Sequence, residues 1–475
     1  MLTLGHLFNS LFGQTPPPAN QYSVGPVEID SRKIKSGGFF VAIRGGHQYL
    51  PQAFAAGATG ALICRPVDFS GPIIDLEAAD RYQQLEQHWS KPFCLRVNDT
   101  VLSLQKIAAD WRSQFSPVVI GITGSIGKSS SKELVHSVLA QKFCTLKNEG
   151  SLNNEIGLPL TLTRLNETHQ QVVLEMGMYT TGEIKTLCRI AKPKIGLVTN
   201  VGPSHLARAG SIERIVQAKG ELVEALDEDG LAILNLDDER VAAMARQTKA
   251  PVFYYGLSQQ ADLWADQIIS RGLEGLQFVL HYQNEAIPVQ IPLLGRHNVY
   301  TALAAASVGL TQGLDWAEIL AGLQNPAAKL RLIAVPGLNE SLILDDTYNS
   351  SAESSKAALH LLRELEAERK IAVLGDMAEL GPLEEVGHRQ VGRQAAEVVD
   401  LLVTVGSISI LIAEEAVACG LARSAAVCLQ DTTAACSYLK EIIRPNDAVL
   451  IKGSRSMAME SIVKQLSATP ETHNE

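Results

Sequence analysis

"GITGSIGKSSSKE", residues 121–133, joins an apolar run to an amphipathic segment through a glycine-rich turn. The apolar run at 117–123 predicts a buried strand, and the residues after the turn have the spacing of a helix with one apolar face. That face comprises Leu134, Val135, Val138 and Leu139. A strand, a glycine turn and a helix in this order are typical of a loop whose backbone N–H groups bind phosphate at a helix N-terminus.

Two side chains on this turn, Lys128 and Ser129, stand where a phosphate-binding loop requires them. In such loops the lysine lies near the β- and γ-phosphates, and the hydroxyl after it binds Mg²⁺. The strict pattern has glycine at position 122, but this chain has Ile122 and its glycine comes one residue earlier. The alternative is a structural glycine turn with an incidental lysine. On the first interpretation, the residues that bind nucleotide are Gly124, Ser125, Gly127, Lys128, Ser129 and Ser130.

The composition disfavours several other classes of protein. The chain has 475 residues, 46% hydrophobic and 19% charged, which predicts about two to four folded domains. Its formal net charge is −10 and no Lys/Arg-rich run stands out, so a nucleic-acid partner is not expected. The seven cysteines form no CxxC pair, and no apolar run reaches the roughly 18 residues of a membrane helix. We therefore expect a monomeric cytoplasmic protein without a disulfide framework.

Changes of pattern divide the chain into three α/β blocks, at 1–114, 115–326 and 327–475. In the first block, "GGFFVAIRGG" (37–46) predicts a strand, and residues 50–64 predict a helix followed by another strand. A break that contains a proline precedes the second block.

The second and third blocks have the short apolar runs that are typical of parallel sheets covered on both faces. Strands of the second block are predicted at 117–123, 171–177, 194–202 and 230–238. Alternation within 252–294 indicates an antiparallel extension, and residues 300–310 predict an alanine-rich helix. Strands of the third block are predicted at 341–346, 371–375, 401–405, 425–429 and 448–452. Their spacing leaves room for helical crossovers, so this block is predicted to be a doubly wound sheet.

Motifs along nearly the whole chain resemble those of the Mur ligase family. The glycine turn, with its offset glycine, is followed by "SLNNEIGLPLTL" (151–162), "LEMGMYTTGEI" (174–184), "TNVGPSHL" (199–206), "QAKGEL" (217–222), "GRHNVYTALAA" (295–305), "DDTYNSS" (345–351), "VLGDMAELG" (373–381) and "IKGSRSMAME" (451–460). The resemblance implies an α/β fold of three domains. These are a UDP-sugar-binding domain, a central P-loop ATPase domain and a C-terminal Rossmann-like domain that binds an incoming dipeptide.

Within the family, "NNEIGLPLTL", "GDMAELG" and "KGSRSMAME" are most similar to members that join D-alanyl-D-alanine to UDP-N-acetylmuramoyl-tripeptide. This implies an ATP-dependent amide ligase of peptidoglycan precursor synthesis that works through an acyl phosphate. The D-N-P-R motif of members that add a diamino acid is absent. The alternatives are a diamino-acid-adding member, an enzyme like folylpolyglutamate synthase, or a non-catalytic ATP-binding homologue.

The resemblance also implies a catalytic and metal-binding set. Its catalytic residues are Lys128, His205, Lys219 and Arg331, and its ligands for two magnesium ions are Ser129, Glu175, His205 and Lys219. Lys219 qualifies only if CO₂ carbamylates it, because an ammonium with a pKa near 10.4 repels a cation. The alternative is a solvated lysine on an amphipathic helix.

The remaining implied contacts are with the nucleotide and the two substrates. For ATP they are His297, Asn298, Arg331 and Asp346, with Asn298 the better candidate of the first pair. For the UDP end they are Ser31 and Arg32, and for the muramoyl peptide Asn153 and Asn154. Lys452, Ser454 and Arg455 are expected to face the incoming dipeptide, although a structural turn is the alternative.

Overall fold

Three β-sheets follow one another along the chain in the computed structural model, which describes residues 2–13, 23–76, 92–203, 206–325 and 332–468. The first sheet is entirely parallel, in the order β1-β2-β3-β5-β4. Its strands are β1 Val27–Glu28, β2 Phe39–Val41, β3 Gly60–Ile63, β4 Ile73–Asp75 and β5 Phe93–Arg96.

The strand predicted at 37–46 is too long. Only β2 is extended, because Gly37 has a φ of 84° and Arg44 a φ of 53°, both in the left-handed region that no strand adopts. A 3₁₀ turn at Arg44–Tyr49 replaces the second half of the predicted strand.

The second sheet has nine strands in the order β14-β13-β12-β11-β10-β9-β6-β8-β7. They are β6 Val118–Thr123, β7 Thr145–Lys147, β8 Gln171–Glu175, β9 Ile195–Val198, β10 Leu231–Asn235, β11 Val252–Gly256, β12 Leu263–Ser270, β13 Leu276–Tyr282 and β14 Glu285–Ile291. All pairs from β7 to β12 are parallel, and β12 to β14 form the predicted antiparallel extension. Because β6 lies between β8 and β9, side chains that follow these three strands meet at one edge.

The third sheet has six strands in the order β15-β16-β20-β17-β18-β19. They are β15 Ile333–Pro336, β16 Leu342–Asp346, β17 Arg369–Gly375, β18 Leu401–Val405, β19 Ala426–Leu429 and β20 Asp447–Lys452. Only the β15–β16 pair is antiparallel, and helices between the parallel strands confirm the predicted doubly wound sheet.

Helices cover the sheets and cap most of the strand connections. In chain order they are α1 Leu4–Phe12, α2 Leu50–Ala55, α3 Thr100–Ser113, α4 Lys128–Leu139, α5 Gly157–Leu162, α6 Glu183–Ala191, α7 Leu206–Ala209, α8 Ile212–Glu224, α9 Glu239–Ala242, α10 Asn298–Thr311, α11 Trp316–Leu323, α12 Ala352–Glu364, α13 Glu384–Ala396, α14 Ile410–Ala418, α15 Thr432–Ile442 and α16 Glu460–Leu466. Within the described residues, no helix is both long and apolar enough to span a bilayer.

The first and second sheets share one apolar core, which runs from Leu2 to Leu222 in the chain. Helix α3 joins them, since its Trp111 Nε1 donates to Leu165 O at 2.9 Å and its Arg112 Nε donates to Ala191 O at 2.9 Å. The third sheet is packed within two further apolar clusters, one on each face. The first two sheets therefore share one core, and Leu294 of the second block packs in one of the two clusters of the third sheet.

Candidate active site

The glycine turn has the geometry that its sequence predicts, because β6 leads directly through it into α4. Gly127 precedes the helix with a φ of 83°, and Gly124 has a φ of 149°. A Cβ at Gly124 would lie 1.9 Å from Thr199 Oγ1, so no larger residue fits there.

Side chains after β9 brace the turn from the neighbouring strand. Asn200 accepts from Ile126 N and donates to Ile126 O, both at 2.9 Å. Thr199 Oγ1 donates to the same carbonyl at 2.7 Å, and Ser125 N donates to Asn200 O at 2.9 Å. The backbone of the turn is consequently held in one shape by bonds to β9.

The side-chain nitrogens of two lysines converge on one carbonyl of this turn. Lys128 Nζ donates to Gly124 O at 2.7 Å and to Ser125 O at 3.1 Å. Lys219 Nζ, on α8, also donates to Gly124 O at 2.7 Å.

Lys219 is only 2% exposed, so the alternative of a solvated lysine is wrong. It lies four residues after Ile215 and three before Leu222, on the buried face of α8. Burial, followed by the charge of Lys128, holds the pKa of Lys219 well below its ordinary value. No ion pair to Lys219 occurs among the residues that the structure describes. The helical period of the buried face could have revealed this from sequence.

Glu175, at the end of β8, is the buried carboxylate of the site. It is 1% exposed, and its Oε2 accepts from Ser129 Oγ at 2.6 Å. Its Oε1 accepts from Asn153 Nδ2 at 2.7 Å. The Asn148 side chain bonds both backbone groups of Glu175, accepting from N at 2.9 Å and donating to O at 3.0 Å. Four hydrogen bonds with three neighbouring side chains therefore fix this glutamate.

The oxygens of Ser129 and Glu175 fit Mg²⁺, which prefers hydroxyl and carboxylate ligands close together. Lys219 fits such a site only as an anion, and not as an ammonium. His205 lies outside the described residues. Within the described part of the chain, no three acidic, histidine or cysteine side chains form a metal cluster by themselves.

A cavity of about 1130 Å³ opens between the second and third sheets, and the glycine turn lines it. Its wall on the side of the second sheet includes Ser125, Gly127, Lys128, Ser130, Asn153, Asn154, Glu175, Lys219, His297 and Asn298. Its wall on the side of the third sheet includes Asp346, Lys452, Ser454 and Arg455. Most of the residues that the sequence singles out therefore meet in one space.

On the third sheet, Asp346 and Lys452 bind each other. They are register partners on β16 and β20, and Lys452 Nζ donates to Asp346 Oδ2 at 2.6 Å and to Asn349 O at 2.8 Å. Lys452 is 1% exposed. The sequence assigned these two residues to different ligands, whereas the structure joins them as one buried pair.

His297 and Asn298 lie at the start of α10. Asn298 Nδ2 donates to Leu294 O at 2.7 Å, and its Oδ1 accepts from Thr301 Oγ1 at 3.1 Å. Burial lowers the pKa of His297; the charge of Asp346 opposes this, and that of Lys452 adds to it. The imidazole of His297, which lines the cavity, therefore has a pKa below its ordinary value.

The other substrate candidates in the cavity differ in the protein groups that their side chains already contact. Arg455 Nη1 donates to Ser151 Oγ at 3.3 Å, and its guanidinium lies 5.4 Å from the centre of the Tyr348 ring. Ser454 Oγ accepts from Ala378 N at 2.7 Å. Asn154 Oδ1 accepts from the backbone N–H groups of Ile156 and Gly157 at the start of α5.

Ser31 and Arg32 lie apart from this cavity, beside the first sheet. Ser31 Oγ donates to Gln52 Oε1 at 2.9 Å. Arg32, 78% exposed in its side chain, bonds both oxygens of Asp30 and lowers the pKa of that carboxyl to about 2. Arg331 lies outside the described residues.

Sequence reasoning missed Lys132 and Asn148, two buried residues that surround Glu175 and the loop beside it. The position of Lys132, one helical turn after Lys128, was a signal for a role at the same site. Sequence reasoning also missed Arg208. Its Cζ lies 4.2 Å from the centre of the Tyr179 ring, and its Nη2 lies 3.7 Å from Glu379 Oε1. The contact with Glu379 joins the second block to the third across the cavity.

A glycine turn, a buried carboxylate and a cavity shared with a doubly wound sheet define a P-loop protein that binds nucleotide at a sheet edge. Family models agree with this class. The Mur ligase middle domain matches residues 122–309, and the Mur ligase glutamate ligase domain matches residues 331–455. The chain belongs to the Mur ligase family.

Its curated relatives include enzymes named UDP-N-acetylmuramoyl-tripeptide–D-alanyl-D-alanine ligase. The Escherichia coli enzyme is 35% identical, with 98% of each chain covered, and the Bacillus subtilis enzyme is 35% identical, with 96% of this chain and 95% of the relative covered. Among solved structures, MurF from Acinetobacter baumannii matches with a TM-score of 0.82 and 29% identity over 98% of each chain. MurF from Thermotoga maritima in complex with ADP has a TM-score of 0.75 at 24% identity, covers 93% of this chain and 96% of that one, and supports the fold alone.

Proposed function

We propose that this chain is an ATP-dependent ligase that joins D-alanyl-D-alanine to UDP-N-acetylmuramoyl-tripeptide and releases ADP and phosphate. The observation that supports it most is the shared cavity, in which the glycine turn and Glu175 face residues of the third sheet. Ligation needs this arrangement, because the phosphate donor, the carboxylate that becomes the acyl donor and the incoming amine must come within reach of one another.

The proposed reaction has two chemical steps. A peptide carboxylate is a poor acyl donor, so its oxygen first takes the γ-phosphate of ATP to give an acyl phosphate. The amine of D-alanyl-D-alanine then attacks the acyl carbon, and phosphate leaves from the tetrahedral intermediate. Such a site acts mainly by positioning its reactants and neutralising phosphate charge.

In this proposal, the N–H groups of the turn and Lys128 bind the phosphates, while Ser129 and Glu175 hold Mg²⁺. The metal, when bound, neutralises charge on the transferring phosphate. Asn153 and Asn148 keep the Glu175 carboxylate directed at Ser129. The roles of His205 and Arg331, and a second magnesium site, stay predictions.

We further propose that Lys219 is carbamylated. Its nitrogen lone pair forms a bond to the carbon of CO₂, one C=O bond opens to a carboxylate, and the amine proton goes to solvent. An ammonium here would share the Gly124 carbonyl with Lys128 and lack an acidic partner among the described residues. A carbamate instead places an anion beside a cationic turn and a metal site.

The UDP end of the larger substrate is proposed to bind beside the first sheet, at Ser31 and Arg32, with the tripeptide reaching the cavity past Asn153 and Asn154. Arg455 is the proposed partner of the dipeptide carboxylate, because a guanidinium can donate two parallel bonds to it. Lys452 acts indirectly, since Asp346 and Asn349 already occupy its ammonium. A monomeric state and a cytoplasmic location stay predictions.

Other ligases share the fold of this chain. Mycobacterium tuberculosis folylpolyglutamate synthase has a TM-score of 0.61 at 15% identity, and a ligase that adds 2,6-diaminopimelate has 0.52 at 17%. Such likeness extends to the fold only and favours neither of these functions for this chain.

The deciding assay measures phosphate release from ATP with each substrate omitted in turn. We expect release only when both UDP-N-acetylmuramoyl-tripeptide and D-alanyl-D-alanine are present. The tripeptide should be supplied with lysine or with diaminopimelate at its third position. Equal release with free glutamate or free diaminopimelate in place of the dipeptide would contradict the proposal, and release with no second substrate would indicate a simple ATPase.

A further inference from the structure

Lys132 on α4 is a buried cation to which the proposed chemistry assigns no task. It is 1% exposed, although a lysine in the interior is costly unless its ammonium is well bonded. Its Nζ donates to Asn148 O at 2.8 Å and reaches Gly150 O at 3.5 Å. The ammonium therefore binds the backbone of a loop, and that loop adjoins Glu175.

A simple ion pair does not account for Lys132. Its Nζ lies 3.0 Å from Glu133 Oε1, but Lys147 also binds this carboxylate, through Oε2. Glu133 would keep a cationic partner if Lys132 were absent. The bond that only Lys132 supplies is the one to the loop carbonyl.

The loop at residues 148–153 delivers two amides to Glu175. Asn148 bonds the backbone N–H and C=O of Glu175, and its Nδ2 also donates to Leu152 O at 2.8 Å. Asn153, at the other end of the loop, donates to the Glu175 carboxylate. A shift of the loop backbone would consequently move both amides relative to the carboxylate.

We propose that Lys132 is a positioning residue, which holds residues 148–150 so that Asn148 and Asn153 keep the Glu175 carboxylate directed at Ser129. This inference rests on the proposed function, in which Glu175 and Ser129 hold Mg²⁺. Lys132 itself touches neither substrate nor metal. Its loss weakens the metal site through the loop.

The test compares Lys132→Met with Lys147→Met. Both remove a cation that contacts Glu133, but only the first removes the bond to Asn148 O. Calorimetric binding of ADP is measured across a magnesium titration, together with phosphate release. We expect Lys132→Met to raise the half-saturating magnesium concentration roughly tenfold, as loss of an outer-shell partner does, with the KM for D-alanyl-D-alanine unchanged. Lys147→Met should leave the magnesium dependence at the parental value.

A double-mutant cycle with Asn153→Ala adds a second readout. If Lys132 acts through the loop, the two substitutions together should shift the magnesium dependence by less than the product of their separate shifts. If Lys132→Met does not fold, Lys132→Gln replaces it. Glutamine keeps a hydrogen-bond donor but is shorter and uncharged. We expect Lys132→Gln to shift the magnesium dependence in the same direction by a smaller amount.

Two results overturn the inference while leaving the proposed function intact. In the first, ADP binding by the parent depends on magnesium, and ADP binding by Lys132→Met shows the same magnesium dependence. The other is an equal shift in Lys132→Met and Lys147→Met. A parent whose ADP binding ignores magnesium would instead contradict the metal site of the proposed function.

Discussion

Lys219, beside the second sheet, and Lys452, at the end of the third, are both buried, but their side-chain nitrogens have different hydrogen-bond partners. Lys452 Nζ meets a carboxylate, that of Asp346, at 2.6 Å. Lys219 Nζ donates to the carbonyl of Gly124, which it shares with Lys128, and has no acidic partner among the described residues. Burying a charge costs several kcal/mol unless a partner compensates it, and the described residues supply a carboxylate partner to Lys452 and none to Lys219.

The bonding partner, rather than the depth of burial, distinguishes these two lysines. Lys452 binds Asp346 and so joins β20 to β16. Lys219 has a pKa well below its ordinary value, because burial and the charge of Lys128 both oppose protonation. A neutral amine is a nucleophile, which is the form that can add CO₂.

Replacement of Lys219 should have the largest effect on activity. We expect Lys219→Met to lower kcat at least about 100-fold, because the proposed metal site would lose the proposed carbamate anion. The rate of phosphate release with both substrates measures it. Lys249→Met is the matched control, since the Lys249 side chain is 82% exposed and should be dispensable. A fully active Lys219→Met protein would end the case for this residue.

Replacement of Lys452 should act mainly on stability. Lys452→Met leaves Asp346 as a buried, unpaired carboxylate, and we expect the free energy of unfolding to fall by about 3–5 kcal/mol. Urea unfolding measures the change. The double variant Lys452→Met/Asp346→Asn should be less destabilised than the single one, because no uncompensated charge remains. Equal losses in the two proteins would show that charge pairing is not what Lys452 supplies.

The smallest expected effect is that of replacing His297, whose pKa is affected by the charge of Lys452. Its pKa in the folded protein is below the ordinary value of 6.5, so as pH falls below 6.5 the unfolded chain binds a proton that the folded protein does not. Stability should consequently drop as pH falls through this window. We expect His297→Gln to lose less stability than the parent between pH 7 and 5, by urea unfolding. Parallel losses would contradict it.

Features that are local in sequence could be predicted, and features that depend on register could not. The glycine turn, the strand before it and the helix after it are contiguous, so their order could be predicted from the sequence, and the structure confirms it. The Asp346–Lys452 pair needs β16 and β20 to be neighbours in one register, which nothing in either segment specifies.

One further error has a physical cause. The strand predicted at 37–46 is too long because Arg44 adopts a left-handed φ, which side-chain patterns do not reveal. For Lys219 the alternative of a solvated lysine is wrong, although a charged residue on an amphipathic helix usually faces solvent. Lys219 is buried because it shares one face of α8 with Ile215 and Leu222.

Carbamylation of Lys219 can be tested by ¹³C NMR of the protein in ¹³C-labelled bicarbonate at neutral pH. We expect one carbamate carbonyl signal in the parent. The signal should be lost in Lys219→Met and kept in Lys452→Met under conditions where that variant is folded. A parent without the signal, or a Lys219→Met protein that retains it, would show that Lys219 is not carbamylated.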